Sequence, residues 1–278
     1  MKVAGAPSLR WLARGEDALP ADWRWLAPAE VARVSGFRFP KRRTEYLLRR
    51  LVTKHAIAAV TGRSTELAAL VGIDVRNAPS GAPYVLLDDV PADLDFSVSD
   101  RAGWAVCVLG GPAGPAGPAG PAGPAGPAGP GGPGGAGGRV GCDLELVEQR
   151  SPGFVRDFLT GPEQRFVTGQ RADAERNLAA NLIWSAKESA LKVLRTGLRR
   201  DTRSVEVTVA APGADGWGEL SVLSVDGGRL AGWWRREGRF LLTVAIATAG
   251  PPPVALDDPG ILATATPRHS WLDPPLSR

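Results

Sequence analysis

Two short stretches carry residues that could do chemistry. In Val140–Val147, VGCDLELV, strand alternation puts Asp143 and Glu145 on one face beside Gly141, with Cys142, Leu144 and Leu146 on the other. Two carboxylates on one strand face repel unless a cation or hydrogen-bond donors lie between them. Such a pair suits Mg²⁺, which takes one or two carboxylates and completes its shell with water and phosphate oxygens. The second stretch runs from Trp184 to Lys192, WSAKESALK. On a helix Trp184, Glu188 and Lys192 follow one another at i, i+4 spacing, while Leu178, Leu182, Ala186 and Val193 mark the core face. Lys187, Glu188 and Lys192 together offer one acid for a metal and two cations for phosphate. Read singly, each stretch also fits an ordinary surface: a D-x-E on an exposed strand, a Glu–Lys pair on a solvated helix.

The elements that must position these groups follow from periodicity. Strands are expected near residues 9–13, 73–76, 84–87, 94–98 and 104–109, with a basic helix over 38–61. The second stretch of chain opens with a strand at 139–147 and continues with helical sequence over 152–195. It closes with strands near 204–210, 219–225, 230–236 and 240–247. Helix followed by antiparallel strands, twice, predicts an α+β fold whose two halves are alike in layout. The expected organisation is an N-terminal half over 1–109, a linker over 110–138, a C-terminal half over 139–249 and a disordered tail over 250–278. The linker is the low-complexity block in which Gly-Pro-Ala repeats six times from Gly111. A run that short, with alanine in the third position, does not make a stable collagen helix, so an extended hydrated segment is expected.

Composition narrows the function classes. The chain has 278 residues, enough for a sizeable core, and 44% hydrophobic with 22% charged residues is ordinary for a soluble protein. No apolar run approaches a membrane span, and the N-terminus lacks the apolar stretch of a secretory signal, so a cytoplasmic protein is expected. Two cysteines and two histidines cannot supply a disulfide framework or a usual zinc site. Between Arg33 and Lys54 the charges are almost all positive, with Glu45 the only acid. No nucleic-acid-reading motif accompanies them, and a small polyphosphate is an equally good partner.

Taken together and in this order, the two stretches resemble the 4′-phosphopantetheinyl transferases, in particular the longer, pseudo-dimeric, surfactin-synthetase-activating type that serves peptide and polyketide synthetases. That family carries (V/I)G-x-D-x-E followed by W-(S/T)-x-K-E-(A/S)-x-x-K. Thr196-Gly197-Leu198 resembles its glycine-containing continuation, and Arg50 and Lys54 resemble its basic pair on the first long helix. The resemblance implies Mg²⁺-dependent transfer of the 4′-phosphopantetheine arm of coenzyme A to a serine of an acyl or peptidyl carrier protein, releasing 3′,5′-ADP, in secondary metabolite biosynthesis. It implies two similar halves, each a long helix packed on a small antiparallel sheet, with the substrate cleft between them, and it implies that Asp143, Glu145 and Glu188 hold the metal and that Glu188, Lys187 and Lys192 are catalytic. Arg50, Lys54, Ser99, Asp100 and Lys192 would bind the coenzyme. The protein would act as a monomer, with carrier proteins and coenzyme A as partners and neither nucleic acid nor membrane.

The sequence departs from the family at two places. Asp100 stands where the family often has a histidine facing a coenzyme phosphate, and Ala82 replaces the lysine of a G-K-P. Both losses of positive charge predict a weaker hold on the coenzyme. They leave open a non-catalytic carrier-protein binder as the alternative, and a scaffold working through the Gly-Pro-Ala block as a more distant one.

Overall fold

A computed structural model describes residues 8–110 and 139–268. The first half begins with β1 (Arg10–Gly15), then α1 (Pro28–Ser35) and the 22-residue α2 (Pro40–Thr61). Five short strands follow: β2 (Ile73–Asn77), β3 (Pro83–Leu87), β4 (Val90–Ala92), β5 (Phe96–Arg101) and β6 (Trp104–Leu109). The second half runs β7 (Val140–Leu146), α3 (Pro152–Phe158), α4 (Gly161–Thr168), α5 (Asp173–Val193), β8 (Val205–Val209), β9 (Gly218–Ser224), β10 (Arg229–Glu237) and β11 (Phe240–Ile246). This is the α+β architecture expected. The helical stretch over 152–195 is three helices because Thr160 and Gly169 interrupt it. Thr160 starts α4 with a capping box, its N–H donating to Glu163 Oε2 at 2.7 Å, and Gly169 closes it.

Among the described residues three sheets form, in the orders β12-β1-β6-β5, where β12 is the two-residue strand Val254–Ala255, β2-β3-β4 and β7-β11-β10-β9-β8. α2 covers one face of the first sheet through Leu47, Leu48, Leu51 and Ile57, packed on Leu12, Phe96, Cys107 and Leu109. The other face, with Trp11, Ala13, Val106 and Val108, packs on Cys142, Leu144, Leu242 and Val244 of the second half. α5 covers the far face of that five-stranded sheet through Leu182, Ile183, Ala186 and Ala190. The core is therefore layered helix, sheet, sheet, helix. β11 lies in the middle with both faces covered, and all seven of its residues are buried.

The two halves repeat an unusual polar motif. Glu30 of α1 accepts from Ala27 N at 2.9 Å and Val75 N at 3.2 Å, and pairs with Lys54 Nζ at 2.6 Å. Glu163 of α4 likewise accepts from Thr160 N and Val207 N, and pairs with Lys187 Nζ at 2.8 Å. Each pair pins a short helix, a long helix and the first strand after it, and all four side chains are at most 1% exposed.

The tail departs from expectation. The segment after residue 250 is ordered as far as 268: β12 (Val254–Ala255) adds a parallel strand to β1, Val254 N donating to Leu9 O and Leu256 N to Trp11 O, both at 2.9 Å. Leu262 is fully buried, and Arg268 pairs with Asp17 at 2.7 Å. Its sequence has no periodicity because it is held by pairing to an existing strand edge, which asks little of side chains. The Gly-Pro-Ala block from 111 to 138 and residues 269–278 lie outside the described residues.

Candidate active site

Gly141 lets α5 sit directly on β7: a Cβ there would lie 2.0 Å from Ser189 O. That close approach brings Asp143 and Glu145 under the stripe of α5 formed by Trp184, Glu188 and Lys192. Asp143 Oδ1 accepts from Lys192 Nζ at 3.1 Å and from Ser99 Oγ at 2.9 Å, and Oδ2 from Ser185 Oγ at 2.9 Å. Glu145 Oε1 accepts from the Trp184 indole at 3.2 Å, while Arg101 and Arg150 both approach Oε2 at 3.3 Å. Trp184 also packs edge-on against Phe154 and Phe158, which accounts for an indole beside a charged pair.

Glu188 completes the cluster. Its Oε1 is buried with no hydrogen-bond partner. Desolvation, then repulsion from Asp143 and more weakly from Glu145, push its carboxyl up to about 7 despite Lys192. Glu145 is raised as well, by desolvation first and Asp143 second, with Arg101 and Arg150 opposing. For Lys192 desolvation acts downward, but Asp143, Cys142 and Glu188 outweigh it and hold the ammonium above its ordinary value.

All the donors here are hard oxygens, and one is buried without a partner, which is chemistry that suits Mg²⁺. Among the described residues, however, no three His, Cys, Asp or Glu side chains gather into a group that could hold a metal. Asp143, Glu145 and Glu188 thus do not form such a group here, and Glu145 Oε2 meets Arg101 and Arg150. Mg²⁺ needs only one or two carboxylates when phosphate oxygens supply the rest, so Asp143 and Glu188 remain a fitting pair.

Beside this cluster, with Lys192 on the boundary, a cavity of about 1310 Å³ opens between the halves. From the first half, Arg42, Tyr46, Arg49 and Arg50 of α2 line it, with the 80–84 loop opposite; from the second come Arg139, Lys192, Arg195 and Arg199. Three acids also line it: Glu30 is tied to Lys54 and Arg50, Glu45 pairs with Lys41 at 3.9 Å, and Asp95 pairs with Arg195 at 3.5 Å. Low-dielectric walls carrying one sign of charge favour a polyanion. Arg199 NH2 donates to Ser80 O at 2.9 Å, joining the halves across this cavity.

The remaining expected site residues fall unevenly. Arg50 is in the cavity wall, over the Tyr46 ring at 4.7 Å. Ser99 serves Asp143 directly. Asp100 forms an ion pair with Arg49. Lys54 and Lys187 are not in the site: both ammoniums are buried in the repeated pairs, and burial depresses both despite their glutamates. Lys187 precedes Glu188 by one residue, about 100° around α5, which turns it from the site face to the core, whereas Lys54, one turn beyond Arg50 on α2, is drawn to the buried Glu30. Arg49, Arg101, Arg150 and Ser185 are the polar neighbours missed. For Arg49 alone the sequence held a signal, its recurrence with Arg42 and Tyr46 along one helix face.

Fold and site thus define an α+β protein with a largely basic cavity next to a buried acidic cluster. The sequence model of the 4′-phosphopantetheinyl transferase superfamily matches residues 139–219, the segment that holds Asp143, Glu145, Glu188 and Lys192. Among solved structures the chain is similar to a holo-(acyl-carrier-protein) synthase from Bacillus anthracis str. Ames in complex with CoA (3′,5′-ADP), at 20% identity and a TM-score of 0.32, over 37% of this chain and 96% of that one. No curated protein matches.

Proposed function

We propose that this protein is an Mg²⁺-dependent 4′-phosphopantetheinyl transferase of the longer pseudo-dimeric type, moving the phosphopantetheine arm of coenzyme A to a carrier-protein serine and releasing 3′,5′-ADP. The observation that carries this is the junction at Lys192, which binds Asp143 through its ammonium and also lines the basic cavity. The superfamily match over the same segment supports it. In this reading the first half grips the coenzyme's phosphates, and the second supplies the metal ligands and catalytic groups.

Asp143 and Glu188 would hold the metal. Bound there, Mg²⁺ would supply Lewis-acid polarisation of the pyrophosphate. Lys192, fixed by Asp143 and by Cys142 O at 2.6 Å, is placed to neutralise charge that develops on the leaving oxygen. Glu188 Oε1, lacking a partner, is the candidate acceptor for the serine proton, directly or through water. Ser99 and Ser185 keep Asp143 oriented from two sides. Arg101 and Arg150 neutralise Glu145, so the site does not carry three uncompensated acids.

The test is mass spectrometry of an apo carrier protein incubated with this protein, coenzyme A and Mg²⁺. The expected gain is one phosphopantetheine on one serine. Asp143→Asn and Glu188→Gln should each lower the rate by roughly a hundredfold or more while the fold persists. Unmodified carrier in the presence of bound coenzyme would favour the non-catalytic alternative.

A further inference from the structure

The odd-numbered residues from Asp95 to Arg101 share one direction. The even positions of β5 turn to the first half: Phe96 and Val98 join the core under α2, and Asp100 pairs with Arg49 of that helix. The odd positions all reach β7, which belongs to the other sheet. Val140 N donates to Asp95 Oδ2 at 3.0 Å, Cys142 N to Ser97 Oγ at 2.9 Å, and Ser99 Oγ to Asp143 Oδ1 at 2.9 Å. The fourth contact is an ion pair, Arg101 Nε lying 3.3 Å from Glu145 Oε2. Each partner stands 44 or 45 positions further along the chain, so the two strands run in the same direction. Side chains join them where a sheet would use backbone.

Glu145 accepts the last rung of this ladder, and its surroundings are those of an anchor. The family resemblance makes it a metal ligand beside Asp143. Yet Oε1 accepts from the Trp184 indole at 3.2 Å, and Oε2 from Arg150 NH2 at 3.3 Å as well as meeting Arg101. Both guanidiniums are held in place. Arg101 NH2 donates to Glu148 Oε2 at 3.0 Å, while Arg150 donates to Asn181 Oδ1 at 2.7 Å and lies over the Phe154 ring at 4.7 Å. Two fixed guanidiniums cancel the charge of one carboxylate, and a divalent cation approaching the same oxygen would be repelled by both. Glu188 Oε1, by contrast, is buried without a partner, and Asp143 Oδ2 meets a neutral hydroxyl, that of Ser185.

On the reading given under Proposed function, Asp143 must be held at one position against α5 and the cavity. We propose that Glu145 is a positioning residue rather than a metal ligand: it takes Arg101 of the first half and so fixes β7, with Asp143 two residues away, in the register that Ser99 completes.

Two measurements on the full chain separate the roles. Calorimetric titration of Mg²⁺ in the presence of coenzyme A should give Glu145→Gln a dissociation constant within about threefold of wild type, whereas Asp143→Asn should weaken binding by roughly tenfold or more. In carrier modification, Glu145→Gln and Arg101→Gln should each lower kcat severalfold at an unchanged KM for coenzyme A, because a displaced strand misplaces the reacting groups. Excess Mg²⁺ should restore neither, and the double variant should be no slower than the slower single one. Arg101→Lys, which keeps the charge, should recover part of the loss. Should Glu145→Gln lower the melting temperature, rates per folded molecule taken below the transition carry the same comparison. Mg²⁺ binding weakened tenfold in Glu145→Gln, or a rate recovered by excess Mg²⁺, would make Glu145 a ligand and overturn the inference. So would multiplicative losses in the double variant, or an unchanged kcat in both single ones, which would leave the ion pair a purely structural contact. A wild type that takes up no Mg²⁺ with coenzyme A present would overturn the proposed function and this inference with it. Every other failure leaves that function standing.

Discussion

Glu188 carries the clearest pH signature in the molecule. Its carboxyl titrates at about 7 in the folded protein against 4.5 for a free side chain, so between those values the folded state binds the proton that the unfolded chain releases. Its contribution is therefore fully favourable below about pH 4.5 and is lost as pH rises through 7. In chelator-containing buffer the melting temperature should fall across this window, and Glu188→Gln should flatten the fall. Mg²⁺ added at pH 8 should stabilise the wild type more than the variant, because a cation removes the repulsion among Asp143, Glu145 and Glu188. Scanning calorimetry at stepped pH measures both. A wild-type slope unchanged in Glu188→Gln would reassign the effect to another group.

At the scale of elements, the repeated Glu–Lys pairs decide how the long helices seat. Lys54 and Lys187 each hold their helix to a capping box and to the next strand, so each replaces what would otherwise be apolar contact with a fixed register. Removing one partner leaves an uncompensated buried charge, which costs about 3–5 kcal/mol. Lys187→Met and Glu163→Gln should each show this in urea unfolding, and the double variant should recover much of the loss. Carrier modification per folded molecule should stay near the wild-type rate in Lys187→Met, since the ammonium lies in the core. A large loss in turnover with unchanged stability would return Lys187 to the site.

Across the whole molecule, the segment 250–268 ties the halves together. After leaving the second half it pairs with β1, buries Leu262, and reaches Ala102 through the Arg268 N–H at 2.8 Å. Truncation after Ala249 exposes the β1 edge and opens a hydrophobic site, and should cost more than about 2 kcal/mol. Comparative denaturation of the truncated and full chains checks this, and equal stability would show that the segment contributes nothing.

Much of this was written in local pattern. Alternation in the strand that carries Asp143 and Glu145 and the i, i+4 series from Trp184 to Lys192 follow from backbone geometry, so the sequence determined the α+β class and the faces on which these side chains stand, while their meeting was implied only by the family resemblance. Composition excluded a membrane span in the same way, and among the described residues no helix is long and apolar enough to cross one. What tertiary structure alone decided was which charges meet. Arg49 finds Asp100 across 51 positions and Arg101 finds Glu145 across 44, while Lys54 and Lys187 turn inward to glutamates on other helices. The strap from 250 likewise takes its conformation from the edge of β1 rather than from its own residues. Periodicity fixes the face on which a side chain stands, but an ion pair depends on distances between elements. Only the packing of the two halves sets those distances.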